Sequence, residues 1–538
     1  MQVEADNNLK DEFKKFWEVE SVSEVSEESV MKEFFNDITF DGQRYIAKLP
    51  FKPNCEFLPD NYQLAKSRLI SLQRQLQRDE NLLLSYKNII EEYERDKIIE
   101  RVSPEDTGEP GAVHYSPHRP VVRMEKETTK VRMVFDLSAR TTAGTSLNDC
   151  LYAGPNLLSR IFDILLRFRS RRIGIVADIK QAFLQVRIHD DHKDYLRFLW
   201  FNYPNTNELV VYRFLRALFG GKSMPFLLQG TIRYHCNDLI NRGMSDPEFV
   251  NEFLQGLYVD DSNDGADSTS DGFHWYKNAK SLMQSGGFSL RKWCTNDIEL
   301  QGMIDEEERC VESTSKSVNF EDESCFADFQ LGVKKEAKMK MVLGINWDLT
   351  RDEFVFDFKS IVAAGESLKF TKRNILKVSS SFFDPLGLIS PVTIQSKRVF
   401  QALCKEKLNW DSSIPQEIDH LWQAFICNLK SFPQVRVPRF GLPASDDVSS
   451  VQLHGFCDSL LCSGVCANSS PGRSSRKFGC CKNESCSFAR TYYSSSGAAV
   501  LFAFVRTYQF HKRCRNKSRF FSRVLLGGFG NCVVLDYW

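Results

Sequence analysis

Two apolar runs in this chain end in carboxylates. One is Ile175-Val176-Ala177-Asp178-Ile179-Lys180 and the other is Leu257-Tyr258-Val259-Asp260-Asp261. As strands, both would carry acids to the rim of a hydrophobic core. Like charges held close together there repel and lose hydration, a cost that bound cations remove. The donors are all oxygens, which suits Mg²⁺ or Mn²⁺ better than softer metals. Two such ions roughly 3.5–4 Å apart can activate a hydroxyl and stabilise a departing pyrophosphate, the chemistry of nucleotidyl transfer. A lone Asp-Asp pair is more often an Asx cap in a turn, so the reading depends on the elements around it.

Those elements alternate. Lys130 to Leu137 and Ile173 to Val186 read as strands flanking a helix from about Asn156 to Ser170. Glu208 to Phe214 reads as a further strand, before a Gly-rich turn and a helix. Leu254 to Asp261, with Asp264, reads as a hairpin with acids at its tip. A helix is expected over 275–285 and a short strand over Leu343 to Trp347. Upstream, Leu69, Leu72, Leu76, Leu83 and Tyr86 recur at helical spacing, so Asp60 to Arg101 reads as one or two helices with a core-facing stripe. An amphipathic helix is expected near Leu9 to Val19, and a Pro/Gly-rich loop over Pro104 to Pro120. Helices interleaved with antiparallel strands imply an α+β fold.

Six short segments, in this order, carry a resemblance. They are Lys130-Val131-Arg132-Met133-Val134-Phe135-Asp136, Asp178-Ile179-Lys180-Gln181-Ala182-Phe183, Phe219-Gly220-Gly221-Lys222-Ser223-Met224-Pro225, Tyr258-Val259-Asp260-Asp261, Gly286-Gly287-Phe288-Ser289-Leu290-Arg291-Lys292-Trp293 and Leu343-Gly344-Ile345-Asn346-Trp347. Together they resemble the ordered motifs of reverse transcriptases, including the YxDD box. Ser146-Leu147-Asn148-Asp149-Cys150 with Gly154-Pro155, the run Phe162 to Arg169, the segment Phe383-Asp384-Pro385-Leu386-Gly387 continuing to Pro391, and the leader Leu58 to Ala65 are similar to the BEL/Pao class of LTR retrotransposons. The likeness covers about residues 10 to 466.

The resemblance implies a right-hand polymerase of fingers, palm and thumb that extends a DNA primer on an RNA or DNA template. Asp178, Asp260 and Asp261 match its catalytic, metal-binding triad for two Mg²⁺ ions, with Mn²⁺ as an alternative, and the resemblance implies the carbonyl of Ile179 as a further ligand. Arg132 matches the fingers arginine that holds the incoming deoxynucleoside triphosphate; an arginine fork suits phosphate. Lys130, Gly220 and Tyr258 fall at substrate-binding positions, and Lys292 where the family places a lysine near the leaving pyrophosphate. Phe183 falls where the family places an aromatic residue under the sugar of the incoming nucleotide; the alternative is a plain core phenylalanine. Strand alternation would send Asp178 and residue 183 to opposite faces, so the segment must leave strand geometry after Asp178. Phe219 departs from the pattern: retroviral enzymes carry Gln there. Implied partners are RNA template, DNA primer, deoxynucleoside triphosphates and other Pol or Gag products.

The C-terminus breaks the pattern. Leu453 to Asp458 resembles the start of a ribonuclease H domain, with Asp458 as the first of four metal-binding acids, but only Glu484 and Asp536 follow it. Shifting the reading by one base permits Ala-Lys-Thr-Arg-Val-Ala over 481–486, Ile-Ile-Pro-Arg-Leu-Glu-Leu-Leu over 492–499 and Cys-Trp-Val-Asp-Ser-Glu-Ile-Val over 525–532. These resemble ribonuclease H segments in the right order, and two carry missing acids. A one-base frameshift between about Cys466 and Lys477 would account for this, a divergent but functional tail being the alternative; on the frameshift reading ribonuclease H activity is expected to be absent. It also accounts for a cluster of cysteines: eight of the 16 lie between Cys457 and Cys532. No C-x₂₋₄-C…H-x₃₋₅-H zinc pattern occurs there. The other eight cysteines lack CxxC pairs and are expected as reduced thiols.

Length and composition set the frame. At 538 residues the chain suggests two to four domains. The expected division is a helical leader (1–100), reverse-transcriptase fingers and palm (101–350), a Pao-type thumb or connection region (351–445) and a ribonuclease H start disrupted after about 466 (446–538). Lys+Arg and Asp+Glu are both 70, so nucleic-acid binding would rely on basic groups gathered locally. The polar opening, Met1 to Lys10, is unlike a signal peptide, and the apolar run near Gly497 to Val505 is too short to span a bilayer. An intracellular, cytoplasmic location is expected, virus-like particles included. A competing reading is a degenerate retrotransposon remnant that at most binds nucleic acid.

Overall fold

The structure, a computed structural model, describes residues 27–53, 55, 58–109, 111–122, 131–140, 144–202, 208–314 (311–314 as backbone), 339–406 and 408–441. Five further strands are described as backbone alone: Ser450–Cys457, Cys462–Ser469, Phe502–Val505, Val524–Gly527 and Val534–Leu535. Lys130 and Asp458 fall outside the described residues, as does the expected helix near Leu9 to Val19. So do the three frame-shifted segments, apart from the backbone of 525–527.

After a helix at Glu27–Asp37, the stretch Asp60 to Arg101 forms two helices, α1 (Tyr62–Leu76) and α2 (Glu80–Arg95). Their buried faces carry Leu69, Leu72 and Leu76, then Leu82, Tyr86 and Ile90, spaced three or four apart as an amphipathic helix requires. Asp79 caps α2 by accepting from the Leu82 amide at 3.0 Å. Next comes an antiparallel hairpin of β1 (His118–Val122) and β2 (Val131–Phe135). Asp136, just beyond β2, pairs with Arg68 of α1 at 2.6 Å.

A four-stranded antiparallel sheet lies at the centre. Its order is β4 (Leu257–Tyr258), β5 (Asp261–Ala266), β3 (Ile173–Ile179) and β6 (Leu290–Thr295). Helices α3 (Ile161–Ser170), α4 (Met224–Asn241), α5 (Pro247–Gly256) and α6 (Thr269–Ser285) surround it. β3 runs through the middle of the sheet, and its alternation divides the molecule. Ile173, Ile175, Ala177 and Ile179 enter one hydrophobic core, while Val176 enters a second. The second core also holds Ile164, Leu165, Leu166 and Phe168 of α3.

The rest of that core comes from a second sheet, β7 (Met339–Val342), β8 (Ile345–Asp348), β9 (Glu353–Asp357) and β10 (Gln434–Pro438), and from α7 (Lys359–Ser367), α8 (Lys372–Ser379), α9 (Ser390–Lys405) and α10 (Gln416–Ser431). The cores therefore part before residue 350, because β7 and β8 pack with the later strands. A buried arginine joins the two units. Arg439 donates to the carbonyls of Phe168, Arg171 and Arg172 at 2.5, 2.9 and 2.7 Å, where α3 ends. The same guanidinium holds both Asp352 oxygens at 2.6 and 2.9 Å. Burial, reinforced by Arg439, pushes the neighbouring Arg169 down to about 10.

Several expectations need correcting. α3 starts at Ile161 rather than Asn156, because the Asn156 side chain takes the Leu158 amide in a local turn. Leu343 to Trp347 is not one strand. Leu343 (φ 46°) and Gly344 (φ 89°) form the tight turn between β7 and β8, and left-handed residues there match the strand twist. Asp264 is inside β5 opposite Ile175, not at the hairpin tip. Cys55 and Cys150 are joined in a disulfide, Cα atoms 5.3 Å apart, so these two are not the expected thiols.

Candidate active site

The register of the central sheet brings the three aspartates to one strand end. Asp261 on β5 lies directly opposite Asp178 on β3. The Asp260 carbonyl accepts from the Ile179 amide at 2.7 Å, tying the turn before β5 to the end of β3. That turn needs Val259 at φ 51°, an unfavourable conformation for a β-branched residue. It is held from beneath: Gln229 of α4, buried, donates to the Val259 carbonyl at 2.9 Å. Tyr258, half-buried, packs against the second core.

Directly opposite residues share a face, so Asp261, Asp178 and Arg291 of β6 stand in one row across three strands. Facing carboxylates repel across a sheet. Arg291 supplies the opposite charge, its Nε 3.3 Å from Asp178 Oδ2. The other oxygen, Asp178 Oδ1, is buried with no hydrogen-bond partner among the described residues. No three His, Cys, Asp or Glu side chains among the described residues form a metal-holding group. The expected metal set is thus brought together by the backbone but not closed, with the arginine engaged where a cation would be expected. An orphaned carboxylate oxygen within an all-oxygen donor set fits a hard cation.

The strand ends at Ile179, short of the Val186 expected from its apolar pattern, and the break after Asp178 that Phe183 requires is present. Gln181 is left-handed (φ 47°), and Ala182–Gln185 form a single 3₁₀ turn. Gln185 donates to the Lys180 carbonyl at 2.6 Å and closes the loop. This sets Phe183, 6% exposed, edge-on to Phe219 with ring centroids 4.6 Å apart. Phe219 is 49% exposed. Phe219, the departure noted in the sequence, thus packs its ring on Phe183. Gly220 (φ 107°) passes so close to β2 that a Cβ would lie 2.3 Å from the Phe135 carbonyl oxygen. Asn148 fixes that turn by donating to the Gly220 carbonyl at 3.0 Å and accepting from the Lys222 amide at 2.8 Å.

Contacts thus run from the end of β2 through Gly220 and Phe219 to Phe183. Arg132 lies on β2 with its side chain on the exposed face, opposite Val121. Lys292 sits in an irregularity of β6, left-handed (φ 54°) and half-buried beside Arg291. Sequence reasoning missed Gln229, Asn148 and the role of Arg291. Arg291 and Asn148 lay inside quoted motifs, but only the folded contacts show what they hold.

Residues 371–463 match the family model of the Pao retrotransposon-like RNaseH-like domain. The matched stretch spans α8 to α10 and β10 and continues past the expected boundary at 445. No curated protein matches the chain significantly. Among solved structures, the chain is similar to a foamy viral protease-reverse transcriptase dRH in complex with double-stranded DNA, at 12% identity and a TM-score of 0.42. That match covers 71% of this chain and 53% of the viral one, so the chain spans about half of its neighbour's length. Among the described residues no helix is long and apolar enough to cross a membrane.

Proposed function

We propose that this chain, a Pao-class retroelement Pol region by its match over 371–463, is an RNA-directed DNA polymerase. It would extend a DNA primer on RNA or DNA template. The observation that supports this most is the cross-strand register of Asp178 and Asp261, with Asp260 tied to the same strand end. Asp178, Asp260 and Asp261, with the Ile179 carbonyl, would hold two Mg²⁺ ions, Mn²⁺ serving as well. When bound, these ions supply the charge that an attacking primer hydroxyl and a departing pyrophosphate require.

The chain's own groups do the positioning. The Arg132 guanidinium suits the triphosphate of an incoming deoxynucleotide, with Lys130 beside it in sequence and Lys292 assigned to the pyrophosphate side. The Phe183 ring, backed by Phe219, would lie under the sugar, and the Gly220 turn and Tyr258 would border template and primer. RNA template, DNA primer and deoxynucleoside triphosphates are the partners, with other Pol or Gag products beside them. Primer extension on poly(rA)/oligo(dT) with Mg²⁺ or Mn²⁺ tests this. Metal-dependent extension is expected. A folded protein that binds the primer–template and never extends it would establish the remnant reading instead.

A further inference from the structure

We propose that Arg291 is a positioning residue that holds Asp178 in the metal-free protein and must release it for a divalent cation to enter. The inference rests on the metal reading of the aspartates given above. Three observations lead to it. Asp261, Asp178 and Arg291 are directly opposed on three adjacent strands and share a face. The Arg291 Nε lies 3.3 Å from Asp178 Oδ2, and both side chains are partly buried, 29% and 20% exposed. Asp178 Oδ1 is buried and finds no partner among the described residues. One carboxylate oxygen is thus engaged by an arginine, while the other is buried with no hydrogen-bond partner among the described residues.

The sheet explains why the contact belongs to the site rather than to the surface. Without a cation, facing carboxylates on β3 and β5 raise the energy of the strand pairing, and a neighbouring positive charge offsets that. Backbone geometry delivers it: β6 is irregular between Arg291 and Cys294, with Lys292 left-handed, immediately after the residue that faces Asp178. A cation and a guanidinium compete for the same carboxylate, so they are linked with opposite sign: whatever Arg291 contributes to the metal-free state is subtracted from cation affinity. Arg291 would thereby keep the acids from closing on a lone ion.

The test is Mn²⁺ binding to the full chain, followed by calorimetry without nucleotide or primer. Arg291→Gln is expected to bind Mn²⁺ about tenfold more tightly than wild type. Arg291→Lys keeps the charge but loses the planar fork and is expected to fall between the two. In thermal melts, Mn²⁺ should raise the midpoint of Arg291→Gln more than that of wild type, since the metal-free variant has lost its counter-charge. Folded variants that bind Mn²⁺ no more tightly than wild type overturn the proposal. If Arg291→Gln fails to fold, Arg291→Lys is decisive: affinity no higher than wild type overturns the proposal equally. Asp178→Asn separates this inference from its premise. Wild-type Mn²⁺ binding that survives Asp178→Asn, or is absent from the start, removes the metal reading and the inference with it. Binding that depends on Asp178 but ignores residue 291 removes the inference alone.

Discussion

Replacing Asp260 with asparagine is expected to abolish primer extension and leave the fold intact. Asp260 contributes its backbone carbonyl to the strand-end contact with Ile179, and asparagine keeps that. The substitution removes a negative charge beside two others, so the melting temperature should hold or rise. Retained extension by the folded variant would remove Asp260 from the metal set. Phe183 offers a sharper test because two roles predict different outcomes. If its ring excludes a ribose hydroxyl, Phe183→Val should raise ribonucleotide over deoxyribonucleotide use by at least about tenfold. If it is only core, both activities should fall together with stability. The aspartates and Phe183 could be picked out in the sequence because their motifs are local. Arg291 lies inside one of the quoted motifs, yet its partner is 113 positions away and only strand register reveals it. Phe219 was visible as a departure, but not that its ring would pack on Phe183.

Strand β5 carries a less expected acid. Asp264 is buried opposite Ile175, its Oδ2 has no partner among the described residues, and burial pushes its carboxyl up to about 7 from an ordinary 3.8. Glu252 adds to that rise, while Arg167, Arg171 and the Gly265 amide oppose it. Between those two values the folded chain holds a proton that the unfolded chain has released. Stability therefore falls as pH rises through that window and levels off above about 7. Asp264→Asn should remove this slope, gaining on the order of a few kcal/mol at alkaline pH and little in acid. Urea midpoints across the window, variant against wild type, check it; parallel curves would mean that Asp264 does not titrate there. Sequence alone placed this residue at a hairpin tip, because Asp-Ser-Asn-Asp-Gly has the composition of a turn. The packing of α5 and α6 against the sheet overrode that local preference. Leu343 in a left-handed turn is the converse: nothing about leucine announces it.

At the level of the whole molecule, Arg439 holds the C-terminal end of α3 and Asp352 together inside the protein. Arg439→Met would take this donor from three carbonyls and the counter-charge from the Asp352 carboxylate, which keeps the Trp347 indole N–H. It should cost about 3–5 kcal/mol in denaturant unfolding, where a surface arginine would cost almost nothing. The coarse plan, helices α1 and α2 ahead of an α+β unit that carries the three aspartates, was legible from periodicity and motif order. The division between the cores was not, because α3 and the even-numbered face of β3 serve the later unit as well as the earlier. Past 466 the chain is expected to yield no ribonuclease H activity. Cleavage of an RNA–DNA hybrid, lost on Asp458→Asn, would overturn that and the frameshift with it. The shared helix also imposes an order on biosynthesis. Arg439 leaves the ribosome 271 residues after Phe168, roughly 15–55 s later at cellular rates of elongation. Until Val342 and the residues after it have emerged to build the second core, Ile164, Leu165, Leu166 and Phe168 lack that packing, and the nascent chain carries an apolar ridge suited to a chaperone or to another copy of itself.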